Sequence, residues 1–202
     1  MKKLPISSAL ALLALATLLG TCSKESLPDK AGASNDAITV RDGMREIPFK
    51  ARFFTRLTPD RLGEVVCDDP ELPGPNFQTG GGNATHLGRF STELTFCGGA
   101  GGVYGGAEGY LEAANGDRLF IAIESGQVIL FEPGSQPYYD AYFKDPFTIT
   151  GGTGRFEGAS GGGMTDSLVD LWNEDYPFPG PIIPDHRTDH VWTGTLMLPN
   201  GK

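Results

Sequence analysis

Three histidines, a scatter of carboxylates, three cysteines and one glycine-rich stretch carry the legible chemistry of this 202-residue chain. His186 and His190 lie four apart in Asp185-His186-Arg187-Thr188-Asp189-His190. In an extended chain that spacing puts them on one side. With His86 they would supply the three imidazoles of a zinc site. His186 adjoins a proline-rich stretch, where polar side chains are usually solvated, and His86 reads as a hydrogen-bonded residue, so no metal and no cofactor is expected. Asp166, Asp170, Glu174 and Asp175 form an acidic strip, and Glu108 and Glu112 share a strand face. Either set has the composition of an acid/base pair or a calcium site; in this pattern such side chains ordinarily cover a solvated surface. No residue is assigned a catalytic role.

Gly151–Gly158 invites comparison with a phosphate loop. Glu157 stands where the third glycine would be and would repel an anion, and no Gly-Lys-Ser/Thr follows. A calcium nonapeptide fails too, with Phe156 at the aspartate position and no second copy. Gly151, Gly152, Gly154, Phe156 and Gly158 are therefore read as a closure corner. The glycines supply positive φ and close backbone approach, and Phe156 plugs a barrel end. Glycines 161–163 are read as a turn. Of the many aromatics, most fill a core. Trp172, Tyr176 and Trp192, with His86, are the candidates for a pocket mouth.

These residues need elements to hold them. Gly at 29 and Pro at 15 are abundant, but they cluster between alternating apolar runs, the pattern of short strands and tight turns. Residues 46–57 alternate, with Ile47, Phe49, Ala51, Phe53 and Leu57 on one face. Further strands are expected over 62–67, 85–97, 103–114, 118–131 (with a bulge or bend at Gly126), 139–150 (with a break or a sheet edge at Pro146), 164–172 and 188–198. Asn115-Gly116 is a strong hairpin signal. The stretch 68–83 is expected to be a loop, and 173–185 a stiff proline-rich loop over one mouth. The expected fold is all-β: seven or eight antiparallel strands closed into a calycin-like barrel, which removes exposed edges. A β-sandwich is the alternative.

The N-terminus reads as an address. Lys2 and Lys3 precede the apolar run Ala9–Leu19, which has the length of a signal peptide. Leu19-Gly20-Thr21-Cys22 resembles the lipobox of bacterial lipoproteins, which implies cleavage after residue 21 and lipidation of Cys22. Ser23-Lys24-Glu25-Ser26 resembles the tether that sends some lipoproteins to the surface of the outer membrane. Residues 22–43 then form a flexible leash, and 44–202 a single domain. Cys67 and Cys97 remain as an even pair in an oxidising compartment, where a disulfide is expected. No Cys-x-x-Cys suggests redox chemistry. The formal charge is −9, and taking Lys2 and Lys3 from 16 basic residues leaves 14 against 25 acidic ones, or −11. That sign excludes nucleic acid as a partner.

The segment Ile149-Thr150-Gly151-Gly152-Thr153-Gly154-Arg155-Phe156-Glu157-Gly158-Ala159-Ser160-Gly161 resembles the GGTGRF-x-G-A-x-G signature of the allene oxide cyclase/dirigent-like barrel superfamily and its bacterial relatives. Thr85-His86-Leu87-Gly88 is similar to an early strand of that family, and Ala113-Ala114-Asn115-Gly116-Asp117 to its central hairpin. Over residues 45–198 the resemblance implies an eight-stranded barrel with an apolar cavity. The plant enzymes act by pocket shape, and none of their catalytic residues carries over. Three readings follow: a lipid-anchored barrel that binds a small apolar ligand or serves as a surface module, a shape-steering cyclase or isomerase, or a structural lipoprotein with a filled barrel. The plant relatives assemble as dimers or trimers; the oligomeric state of this chain stays open.

Overall fold

A computed structural model describes residues 39–41 and 43–200. The expected signal peptide, Cys22 and most of the expected leash lie outside the described residues. The end of that leash forms β1 (Thr39–Arg41), which pairs with the start of β2 (Met44–Leu57). A 3-10 helix, Pro59–Glu64, and a loop lead to β3 (Gly74–Ala84). Then come β4 (Gly88–Gly98), β5 (Val103–Ala113), β6 (Arg118–Gln127) and β7 (Ile129–Leu130). The rest are β8 (Ala141–Phe143), β9 (Pro146–Gly152), β10 (Ser160–Met164), β11 (Ser167–Asp170) and β12 (Arg187–Pro199).

The ring β2-β3-β4-β5-β6-β9-β10-β12 is antiparallel throughout and closes where β12 pairs with β2. The fold is thus an eight-stranded closed barrel, not a sandwich. Alternation positions its interior. Ile47, Phe49, Ala51, Phe53 and Thr55 are buried along β2, while Lys50 and Arg52 between them are exposed. Leu111, Leu119, Ile149 and Leu196 meet them from the other strands.

Three of the eight staves are broken at one level. β6 passes into β7 at Val128, β8 into β9 at Lys144-Asp145, and β10 into β11 at Thr165-Asp166. Pro146, which has no N–H, begins β9. Across the break, the Thr165 amide donates to the Asp145 carbonyl and the Asp145 amide to the Thr165 hydroxyl. Beyond the break the wall continues as β12-β11-β8-β7. The barrel therefore has a tightly laddered end and an end built from short pieces.

Three expected elements differ. Residues 62–67 are not a strand. Pro59–Glu64 is a 3-10 helix, and Arg61 reaches Glu64 three residues on, the pair that 3-10 geometry brings together. Residues 74–83, expected within a loop, belong to strand β3. A Cβ on Gly80 or Gly82 would strike the carbonyl oxygens of Phe54 or Arg52 on β2, so these glycines permit close strand approach. Gly161–Gly163 likewise lie within β10, not in a turn: Gly161 and Gly163 press on the Thr195 and Thr193 carbonyls of β12.

Candidate functional site

The laddered end is solid. Phe156, in the 3-10 turn Gly154–Phe156, is 1% exposed and packs with Ala113, Leu119 and Leu198 in one cluster. Above it lies an aromatic layer. Phe147 contacts Phe49 at 5.9 Å between centroids and stacks on Trp192 at 4.9 Å. Trp192 in turn meets Phe53 edge-on at 5.1 Å.

Over that layer the barrel is hollow. A cavity of about 650 Å³ fills the end built from short pieces, within the range of small-molecule sites. Its walls are mainly apolar, with Leu94, Phe96, Ala107, Ile121, Ile123, Val128, Phe143 and Val169 among them. Besides Glu108, Gln127 and the two indoles, its polar side chains come from three places. Asn76 and Gln78 face inward from β3, Tyr104 from β5, and His186, Thr188 and His190 from the approach to β12 and from β12 itself. Thr188, His190 and Trp192 alternate on one face of β12, because residues two apart on a strand share a side, and His186 lies just before the strand.

A chain of hydrogen bonds fixes this polar wall. The Ser167 hydroxyl lies 2.9 Å from His190 Nδ1, and the Thr55 hydroxyl 3.0 Å from His190 Nε2. Thr55 donates to Gln78 Oε1 at 2.6 Å, and Gln78 Nε2 lies 3.5 Å from His186 Nε2. The His190 ring stacks on Phe53 at 4.3 Å. With both nitrogens engaged, His190 is a rigid wall, not a free base. Burial pushes its pKa down to about 3, against a smaller opposing pull from Asp189. Burial also lowers His186, despite Asp185 beside it.

The sign of the pH effect follows. A proton that folded His190 refuses is accepted by the unfolded chain below the ordinary value of 6.5. Stability therefore rises with pH between about 3 and 6.5 and is lost as pH falls through that window. Denaturant unfolding from pH 6.5 to 4.5 should lose up to about 1.4 kcal/mol per pH unit from His190. His190→Gln should flatten that slope by the same amount. An unaltered slope would mean that the ring takes up its proton inside the fold.

On the opposite wall the Tyr104 hydroxyl donates to Asp145 Oδ2 at 2.7 Å. Burial first, and this carboxylate second, hold the phenol well above its ordinary value. Gly126 makes room for the pair, since a Cβ there would strike both side chains. The Tyr104–Asp145 bond spans the stretch where β6 and β9 do not pair.

The proline-rich segment between β11 and β12 lies at the mouth. Asp140 Oδ2 accepts from the Leu171 and Trp172 amides, and the Trp172 indole donates to the Gly180 carbonyl at 3.0 Å. Trp172 packs edge-on to Phe178, and Ile182 and His186 line the cavity. Cys67 and Cys97 form a disulfide with Cα atoms 5.7 Å apart, tying the loop after the first 3-10 helix to β4.

The candidate mouth residues thus separate. Trp172 and Trp192 line the cavity, Trp192 at its floor. Tyr176 lies in the segment after β11, outside the lining. His86, at φ +66 in the β3–β4 turn, sits at the other end of the barrel. A zinc site from all three histidines is therefore not formed, whereas His186 and His190 share a wall as their spacing implies. The acidic residues are dispersed: Asp166 pairs with Lys144 and Glu112 with Arg118. Asn76 and Gln78 were hidden from sequence reading, because the glycines around them disguise a strand. The Tyr104–Asp145 pair joins residues 41 apart and leaves no local pattern.

The chain matches no family model, no curated protein and no solved structure.

Proposed function

We propose that this chain is an exported, lipid-anchored barrel of the bacterial cell envelope whose cavity binds a small apolar ligand. The carrying observation is the cavity of about 650 Å³ with a mainly apolar wall, at one end of a barrel otherwise filled. Binding sites of this kind are concave, mostly apolar and furnished with a few convergent polar groups. The resemblance of the glycine corner to the allene oxide cyclase/dirigent-like barrels supports the same reading. The lipobox-like Leu19-Gly20-Thr21-Cys22 supports the membrane anchor and an envelope location.

Native mass spectrometry of the purified chain tests it directly: a co-purifying small molecule, released on unfolding, is the expected result. A variant supplies the control. Ala107 is buried at the cavity wall, so Ala107→Leu adds bulk into open space. An apolar fluorescent probe should then bind at least about tenfold more weakly, while stability changes by less than about 1.5 kcal/mol. Unchanged probe binding would place the ligand elsewhere.

A second reading, a cyclase or isomerase working by shape, is favoured by the Tyr104–Asp145 pair at the cavity wall. Turnover of the co-purifying molecule that is lost in Tyr104→Phe, with the molecule still bound, would establish it.

A further inference from the structure

We propose that the cavity takes a cationic amphiphile, with an apolar body inside the barrel and an amine or quaternary ammonium group at the mouth. This rests on the ligand-binding reading above and names the charge and layout of the ligand.

The interior has no place for a charge. No lysine, arginine or aspartate lines the cavity. Glu108 does, but it is exposed on β5, next to the inward-facing Ala107. Burial keeps the His186 and His190 rings neutral at pH 7. An ionised group placed among such walls would lose its hydration without meeting a counter-charge. A charged end of a ligand therefore stays at the mouth.

The mouth carries charge of one sign. The loops 58–73, 131–140 and 171–186 surround the open end, and they hold ten aspartates and glutamates against one arginine, Arg61. Arg61 pairs with Glu64 and Glu93, and from the barrel wall Arg56 reaches Asp185. Glu132, Glu174 and Asp175 are exposed and form no ion pair among the described residues. Asp170 registers this field: burial first, and the neighbouring Asp140 second, raise its carboxyl above the ordinary value. The solid end differs. Its turns 85–87, 114–117 and 153–159 hold Asp117 and Glu157 with Arg155, which pairs with Asp117. Negative charge is thus gathered around the apolar hollow, whose low-dielectric walls focus the field. The acids by themselves would be a solvated surface; the cavity they encircle is the site, and they set the sign of what enters it.

Aromatic rings stand at the same boundary. Trp172 lines the cavity, and Phe178, packed edge-on to it, is exposed. Ring faces attract cations at close range. A carboxylate end would meet repulsion at the rim and no cation within. An ammonium end meets attraction from both the acids and the rings, while its apolar body fills the hollow.

The test uses the purified full chain and three probes with the same alkyl chain: decyltrimethylammonium, 1-decanol and decanoate, ranked by displacement of Nile red, an uncharged apolar dye. At about 10 mM salt, charges act over about 30 Å. There the ammonium probe should bind at least about tenfold more tightly than decanoate and about threefold more tightly than decanol. At about 1 M salt, where that reach falls to about 3 Å, both ratios should shrink. The variant Glu132→Gln/Glu174→Gln/Asp175→Asn changes three exposed side chains that have no ion pair to lose. At low salt it should weaken the ammonium probe at least about threefold, change decanol less than about twofold and tighten decanoate. Ala107→Leu should weaken all three probes, which places them in the cavity. Decanoate equal to or tighter than the ammonium probe, a preference that neither salt nor the triple variant alters, or an ammonium probe indifferent to Ala107→Leu overturns the proposal. Displacement of the dye by decanol leaves the ligand-binding reading standing in each of those cases. Failure of the dye and all three probes to bind overturns both.

Discussion

Phe156→Ala should lower the unfolding free energy by about 3–5 kcal/mol, the range for emptying a buried aromatic site. The ring is 1% exposed and closes the solid end of the barrel. How far the surroundings collapse sets where in that range the value falls. Here they are held. The Thr153 amide donates to the Arg118 carbonyl, and the Arg118 amide donates to the Thr153 hydroxyl at 2.9 Å. On the far side, Gly158 sits against the Pro199 ring. A corner fastened at both shoulders cannot slide into the space left by the ring, so the upper part of the range is expected. Denaturant melts of the alanine and leucine variants check it, with leucine recovering a substantial part of the loss. Probe binding at the other end should persist wherever the variant is folded. A neutral alanine variant would mean that the ring is not the plug.

Removing the disulfide should have a comparable effect. Cys67 and Cys97 are 30 residues apart, and opening a loop of that length costs about 3–4 kcal/mol in the chain-entropy account. The segment that the bridge holds has little regular structure of its own: residues 65–69 carry no helix or strand, and Val66 is 77% exposed. The double variant Cys67→Ser/Cys97→Ser should lose that stability and also weaken probe binding. Leu72, in the tethered loop, lies close to Gly99 and Gly105, beside the glycine turn that rims the cavity. Calorimetry with and without reductant checks the first effect and dye titration the second. An unchanged melting temperature would mean that the loop is held by packing alone.

The outline of the barrel was legible because its strands announce themselves locally. Ile47 to Phe53 alternate and Asn115-Gly116 turns. What was illegible depends on distant partners. Gly80 and Gly82 resemble loop residues until the β2 backbone is placed against them. The same holds for Gly161 and Gly163 against β12. The site follows that division. His186 and His190 could be put on one face from their spacing. Asn76 and Gln78 fell inside a misread strand, and the cooperation of Tyr104 with Asp145 depends on where β6 stops pairing with β9. His86 was grouped with the other histidines by residue type alone, and the β3–β4 turn carries it to the other end of the barrel.

The seam between β2 and β12 has a consequence for how the molecule comes into being. It runs continuously from Arg56 opposite Arg187 to Met44 opposite Pro199, joining the first barrel strand to the last. The strand that completes the circle is the last of the ring's eight to be synthesised. Until it arrives, one long edge of β2 offers unpaired amides and carbonyls to any neighbouring chain. Such distant pairing is also slow to find. Closure of the ring therefore waits for β12, and loss of that strand would open the ring instead of shortening it.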